Sequence, residues 1–263
     1  MQIPFYKYQG TGNDFILIDN RDLILPNLSQ AIIEQWCNRK FGIGADGLML
    51  LQKKEGFDFE MVYYNSDGNL GSMCGNGGRC ITAFAHFLGV LTTPKAYFYA
   101  ADGPHHALLN GTDYVELKMG DVSSVAYSPN SIFLDTGSPH HIEFVQQIND
   151  IDVYNQGRAI RYNDHYRATG TNVNFVEVTQ ENQLTVATYE RGVENETLSC
   201  GTGVTAAALA YHLEFSLNSP THPINIQTKG GQLTVRFQYK DQQFYDIWLC
   251  GPAIQVFKGH IKL

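Results

Sequence analysis

A seven-residue stretch occurs twice in altered form: Met73-Cys74-Gly75-Asn76-Gly77-Gly78-Arg79 and Ser199-Cys200-Gly201-Thr202-Gly203-Val204-Thr205. Each copy runs into a proline-free apolar segment, Cys80 to Leu88 and Ala206 to Glu214. There Ile81, Phe84, Ala85 and Leu88, and Ala207, Leu209, Ala210 and Leu213, recur at helical spacing. The chain is therefore expected to hold two helices that each begin with a cysteine and glycines. The first N–H groups of a helix lack intrahelical partners and the dipole is positive there, so an anion is favoured. A thiolate is such an anion, and cysteine pKa falls from about 8.5 to roughly 3.5–7.5 near helix N-termini and cations. One such cysteine would read as packing, since free cysteine is commonly buried. Two in matching context favour a pair of proton-transfer groups. Cys74 and Cys80 are not at a zinc-binding spacing, and no second close cysteine pair could complete a tetrahedral site, so no metal is expected.

The elements around the two cysteines also repeat. Ile3 to Tyr8 and Phe15 to Asp19 read as strands about Gly10-Thr11-Gly12-Asn13, and Ser29 caps a helix running through Trp36 toward Lys40. Strands at Leu48 to Leu51 and Phe57 to Tyr63 then deliver Asn65-Ser66-Asp67-Gly68 ahead of Cys74. After the first cysteine helix come Ala96 to Ala101, then Ala107 to Leu109 and Tyr114 to Met119, the last two joined at the hairpin signal Asn110-Gly111. Ser123 to Asn130, rich in turn formers, reads as a crossing between halves. From Ile132 the order recurs. Thr136-Gly137-Ser138-Pro139-His140-His141 stands where Gly10 to Asn13 stood, and Asn174 to Val178 and Leu184 to Tyr189 deliver Glu190-Arg191 before Cys200. Ile224 to Thr228, Leu233 to Tyr239 and Phe244 to Leu249 follow the second helix. Gly12 to Cys74 spans about 62 residues and Gly137 to Cys200 about 63, as a duplicated unit requires. The expected fold is α/β in the α+β sense: two pseudo-symmetric domains, each a curved, mostly antiparallel sheet around a central helix. The N-terminal half, residues 1–119 with 252–263, carries Cys74, and the C-terminal half, residues 120–251, carries Cys200.

Composition narrows the function. A net charge of −8 and a pI near 5.5, with no basic run, argue against nucleic-acid or anionic-membrane partners. No segment approaches the roughly 20 apolar residues of a membrane span, and no secretory leader is evident. Five cysteines in 263 residues do not make a disulfide framework, so a reducing cytoplasm is expected. Gly10-Thr11-Gly12 lacks the third glycine and the following helix of a dinucleotide site. His105 and His106 are adjacent, hence on opposite faces of a strand, which suits an edge better than a metal.

Two acid/base groups on opposite faces of one carbon are what stereoinversion requires. The N–H groups after each cysteine could hold a carboxylate and take up charge pushed onto it from the α-carbon. Pyridoxal phosphate usually supplies the electron sink for this chemistry, and no lysine stands in a context that marks it as a Schiff-base residue.

Gly10-Thr11-Gly12-Asn13-Asp14-Phe15, Asn65-Ser66-Asp67-Gly68, Cys74-Gly75-Asn76-Gly77, Thr171-Asn172-Val173-Asn174-Phe175, Tyr189-Glu190-Arg191-Gly192 and Cys200-Gly201-Thr202-Gly203 together resemble the diaminopimelate epimerase family over nearly the whole chain. The resemblance implies a cofactor-free isomerase that interconverts LL- and meso-2,6-diaminopimelate for lysine and cell-wall synthesis, as a cytoplasmic homodimer with a small-molecule substrate. It implies that Cys74 and Cys200 exchange the proton and that His140 and Glu190 set their protonation. It further implies that Gly75, Asn76, Gly201 and Thr202 hold the reacting carboxylate, while Asn13, Asn65, Ser138, Asn172, Glu190 and Arg191 grip the substrate. Many members of the family carry Gln where this chain has Gly47 and Asn where it has Ser138, so two substrate contacts are shortened or lost: Ser138 can still donate and accept a hydrogen bond, whereas Gly47 offers only backbone. Two rivals remain at this point: a racemase of proline-type amino acids, and an amino-acid binder that has lost turnover.

Overall fold

The computed structural model describes residues 2–25, 28–217 and 220–263. It divides into two units, residues up to Leu117 together with Gly251–Leu263, and Lys118–Cys250.

The first unit is assembled around a helix that cannot face water. Its strands are β1 (Gln2–Gly10), β2 (Asn13–Asp19), β3 (Gly47–Gln52), β4 (Phe59–Asn65), β5 (Lys95–Ala100), β6 (Gly103–Leu109) and β7 (Tyr114–Lys118). Helix α1 (Gln30–Cys37) separates β2 from β3, and α2 (Gly75–Phe87) separates β4 from β5. Every residue of α2 from Gly75 to Ala85 is buried, the polar Asn76, Arg79 and Thr82 among them, whose side chains are hydrogen-bonded within the fold. The strands wrap it, with β1, β2, β3, β4 and β6 all in contact with it. Helix α1 begins at its expected cap, Ser29, whose hydroxyl accepts from the Ile32 N–H. It packs Ile33 and Trp36 on the opposite face of the sheet, against Ile16, Ile18, Leu48 and Leu50.

The second unit repeats the plan with β8 (Val125–Ser128), β9 (Ser131–Asp135), β10 (Pro139–Val145), α3 (Val153–Arg161), β11 (Asn172–Gln180), β12 (Gln183–Glu190), the short β13 (Asn195–Thr197), α4 (Gly201–Phe215), β14 (Ile224–Thr228), β15 (Gly231–Lys240) and β16 (Gln243–Pro252). Helix α4 is buried from Gly203 to His212 and touches β9, β10, β11, β12, β14 and β15. One reading of the sequence needs correction here, and one element is added to it. Val125–Ser128 is a strand, not a crossing; three of its four residues are exposed, so it carries no apolar alternation to announce it. Val153–Arg161 is a helix that a mean hydropathy dominated by asparagine, glutamine and arginine conceals; it docks through the buried Val153 and Gly157, with Ile160 and Tyr154 packed beside them.

The pairing series shows how far the duplication goes. In the second unit, β8 to β9 and β9 to β10 are antiparallel, β10 to β11 parallel, β11 to β12 antiparallel, β12 to β14 parallel, and β14 to β15 and β15 to β16 antiparallel. The first unit gives the same series when it starts from β17 (Ile254–Lys262): antiparallel to β1, then β1 to β2 antiparallel, β2 to β3 parallel, β3 to β4 antiparallel, β4 to β5 parallel, and β5 to β6 to β7 antiparallel. The strand that opens the second unit has its counterpart at the far end of the chain. Among the described residues no helix is long and apolar enough to cross a membrane.

Helix α3 lies close enough to β12 that a Cβ on Gly157 would stand 2.4 Å from Tyr189 Cβ and 2.8 Å from its Cγ. Both atoms lie at the rigid root of a buried side chain. Gly157→Ala should therefore lower stability by about 1–3 kcal/mol despite alanine's higher helix propensity, read as a fall in the urea midpoint with unchanged slope.

Candidate functional site

Both cysteines are helix N-caps. Cys74 (φ −117°, ψ 124°) precedes α2 and Cys200 (φ −110°, ψ 113°) precedes α4; neither side chain makes a capping hydrogen bond to its helix's backbone, and neither first turn contains an acidic residue. Their carbonyls accept the first intrahelical bonds, from Gly78 N at 2.7 Å and from Val204 N at 2.9 Å. The N–H groups of residues 75–77 and 201–203 are thus first-turn donors with no helical acceptor. The other cysteines contrast with these: burial pushes the Cys37 thiol up to about 11 and the Cys80 thiol up to about 12, so both stay protonated at neutral pH.

In the first unit, Asn13 ties the cap to the sheet. Its Oδ1 lies 3.5 Å from Cys74 Sγ and 3.4 Å from Asn76 Nδ2, and its own amide donates to Asp46 at 2.7 Å. Asp46 is held in turn by Arg39, which also pairs with Asp14, and Asp14 pairs with Lys7. Burial pushes Asp14 up, but hydrogen bonds from Arg39 and Lys7 outweigh it and hold the carboxyl at about 2. The chain reaches Asn13 through a two-residue hairpin turn in which Thr11 (φ 51°) and Gly12 (φ 86°) are both left-handed. Arg79, fully buried one turn into α2, donates to Asn76 Oδ1 at 3.0 Å and to Thr11 Oγ1 at 3.4 Å, binding turn and helix together. Asn65, at the end of β4, lies opposite Gly47.

In the second unit, a chain of hydrogen bonds ends on Cys200. The Thr188 hydroxyl donates to Asn174 Oδ1 at 2.9 Å, and the Asn174 amide donates to His140 Nδ1 at 3.1 Å. With Nδ1 an acceptor, Nε2 carries the proton and donates to Thr202 Oγ1 at 2.9 Å; that hydroxyl lies 3.5 Å from Cys200 Sγ. His140 is fully buried and its pKa is pushed down to about 3, by desolvation first and by the nearby Arg191 charge second. Beside this chain, Asn172 donates to Ser138 Oγ at 2.9 Å and to Pro139 O at 3.0 Å, while its Oδ1 accepts from the Arg191 N–H. Glu190 accepts from Thr197 Oγ1 at 2.9 Å.

The structure thus gathers Asn13, Cys74 and Asn76 in one unit, and His140, Thr202 and Cys200, with Ser138, Asn172 and Arg191 alongside, in the other. Asn174, Thr188, Asp46 and Arg79 join them without having been expected. Asn174 did leave a trace: Asn172 and Asn174 occupy alternate positions on the face of β11 that Val176 turns toward α4, where an apolar run would be usual.

Register equates the two units residue by residue. Phe15 pairs Gly47 as His140 pairs Asn172, Leu17 pairs Met49 as Ile142 pairs Asn174, and Met49 pairs Tyr63 as Asn174 pairs Thr188. The glycines agree: a Cβ on Gly77 would strike Met49 Cε at 2.1 Å, and one on Gly203 would strike Asn174 Oδ1 at 2.5 Å. Phe15, Met49 and Tyr63 therefore stand under α2 where His140, Asn174 and Thr188 stand under α4. Among the described residues, no group of three or more His, Cys, Asp or Glu side chains could hold a metal ion.

A neutral buried histidine makes folding pH-dependent. Below about pH 6.5 the unfolded chain binds a proton that folded His140 refuses until about pH 3, so its stabilising contribution is complete above 6.5 and is lost as pH falls. Each such group costs about 1.4 kcal/mol per pH unit inside that window. His140→Gln should flatten the fall of unfolding free energy between pH 6 and 4.5 by about one proton, measured by urea titration at several pH values.

The chain matches the family model described as diaminopimelate epimerase over residues 5–125 and 132–255. It is 52% identical over 259 residues to a diaminopimelate epimerase of Flavobacterium psychrophilum, covering 98% of this chain and 100% of that one. With a diaminopimelate epimerase of Chlorobaculum tepidum it shares 44% over 262 residues, 97% and 99% of the two chains. Among solved structures it is similar to a phenazine biosynthesis protein of the PhzF family from Bacillus anthracis, at TM-score 0.80 and 13% identity with both chains fully covered. It is also similar to a probable proline racemase from Agrobacterium radiobacter, at TM-score 0.68 and 13% identity over 99% and 93% of the chains. At that identity the likeness to the solved structures is one of fold.

Proposed function

The chain belongs to the diaminopimelate epimerase family, and we propose that it interconverts LL- and meso-2,6-diaminopimelate by passing the α-proton between the thiols of Cys74 and Cys200. The observation that carries this reading is the duplicated helix start. Each cysteine sits at an extended N-cap, ahead of N–H donors suited to an anion.

In the proposed reaction one cysteine, as thiolate, takes the α-proton; the C–H bond breaks, an S–H bond forms, and the electron pair moves toward the α-carboxylate. Backbone N–H groups at Gly75, Asn76, Gly201 and Thr202 receive that charge, the task of an oxyanion hole. The opposing thiol then gives its proton to the other face of the carbon, so its S–H bond breaks as the new C–H bond forms. One turnover leaves the two sulfurs with exchanged protonation, ready for the reverse direction. His140, held neutral, supports Cys200 through Thr202, and Glu190 acts with it in setting protonation. Asn13, Asn65, Ser138, Asn172, Glu190 and Arg191 grip the substrate, the guanidinium of Arg191 being suited to two carboxylate oxygens. The mechanism asks nothing of a pyridoxal cofactor, since the helix starts supply the place for charge. We further assign the protein to lysine and cell-wall precursor synthesis, to the cytoplasm, where five free cysteines are at home, and to a homodimeric state.

General acid–base groups contribute roughly 10²–10⁴-fold each. Cys74→Ala and Cys200→Ala should each abolish epimerisation while folding normally, followed by ¹H NMR of diaminopimelate; near-normal turnover in either variant would exclude the two-thiol scheme. Incubation in D₂O separates the rivals by mass spectrometry. α-Deuterium in diaminopimelate supports the proposal, label confined to proline-type amino acids supports the racemase, and no label in any amino acid supports a binder.

A further inference from the structure

Gly47 and Asn172 hold the same register position in the two units, yet one has no side chain and the other a fully engaged amide. The volume beside Gly47 is not empty. A Cβ there would lie 2.5 Å from Tyr63 Cε2 and 3.1 Å from the Tyr63 hydroxyl oxygen. Gly71 bounds the ring's other edge, where a Cβ would meet Cδ1 at 2.4 Å and Cε1 at 2.5 Å. Phe15, fully buried, packs edge-on against the same ring with centroids 6.0 Å apart. Two positions without side chains and one immobile aromatic thus fix the phenol in a single slot, with its hydroxyl over Gly47. Asn65, the next residue of β4 on that face, has its Oδ1 3.1 Å from the same Gly71 Cβ position, so amide and phenol are neighbours.

The counterpart of Tyr63 in the second unit, Thr188, is buried and gives its hydroxyl to Asn174. Tyr63 is half-buried, at the helix-start end of the sheet. It lies two strands from Asn13, which touches the Cys74 thiol. Strands are spaced about 4.8 Å and residues along them about 3.3 Å; Gly47 faces Phe15, two residues beyond Asn13 on the adjacent strand, so the hydroxyl over Gly47 stands roughly 8 Å along the sheet from the reacting end. Diaminopimelate carries a second amino-acid group on a short aliphatic spacer.

The geometry points to Tyr63 as a substrate-binding residue that sets specificity: its hydroxyl supplies what position 47 lacks and hydrogen-bonds the distal amino-acid group, the one not being inverted. The inference rests on the function proposed above. Tyr63→Phe keeps the ring in its slot and removes the hydroxyl alone. A hydrogen bond to a charged partner is worth roughly 10- to 100-fold in binding, so KM for diaminopimelate should rise by that factor with kcat within about threefold. The inhibition constant of 2-aminoheptanoate, a linear amino acid with an uncharged end, should stay unchanged. Gly47→Ala, whose methyl group collides with the ring, should give the same selective rise with the hydroxyl present. An unchanged KM in Tyr63→Phe, or equal weakening of substrate and of 2-aminoheptanoate, overturns the inference. A lack of α-deuterium in diaminopimelate with the unaltered protein would instead overturn the proposed function, and this inference with it.

Discussion

A helix buried on every side is enclosed by its sheet, and enclosing it creates a problem at its start. Helices α2 and α4 are buried almost throughout, so their unpaired first-turn N–H groups cannot be left to bulk water along the whole perimeter. Each unit meets this by wrapping strands around the helix body and leaving the N-terminus at the strand ends. There the strands contribute asparagine, serine, threonine and histidine instead of valine and leucine. The sheet, the glycines that let strands approach the helix, and the polar residues at the strand ends all follow from enclosing that one element while keeping its positive end available to an anion.

The two units solve the same problem with different chemistry. Under α4 the positions facing the first turn are His140, Asn174 and Thr188, a bonded series whose direction is fixed because Asn174 donates to His140 Nδ1. Under α2 the same positions are Phe15, Met49 and Tyr63, and the thiol is met instead by Asn13, anchored through Asp46 to a charged cluster. Duplication has preserved the backbone plan and the cysteine while its surroundings diverged. The two sulfurs are chemically unequal: one meets a hydroxyl backed by a neutral imidazole, the other a carboxamide backed by carboxylates and cations.

The cysteine repeat, the near-equal spacings and the period-two runs made the duplicated plan legible, because each is a local pattern of residue type. The candidate cysteines and their glycines were legible for the same reason. Helix α3 was not: its large apolar residues, Val153, Tyr154 and Ile160, are few among Asn155, Gln156, Arg158 and Arg161, so no apolar run announces it. Thr188 and Tyr63 read as ordinary strand residues, and what sets them apart, the register that brings each under a helix start, depends on pairings with distant strands. Asp46 and Arg79 act through residues far away in sequence, and no local pattern encodes that.

The strand β17 pairs with β1 along nearly its full length, although the whole of the second unit lies between them in sequence. During translation the first unit must therefore wait, with one flank of β1 unpaired, until the second unit has been made. Loop-closure entropy grows only slowly with length, so the equilibrium penalty is modest. The kinetic one is larger, since an open sheet edge is a template for pairing with other chains. Tyr6, Phe84 and Phe87 stack beside that edge. The duplicated architecture thus folds from the inside of the sequence outward, and the half of the molecule made first is the half completed last.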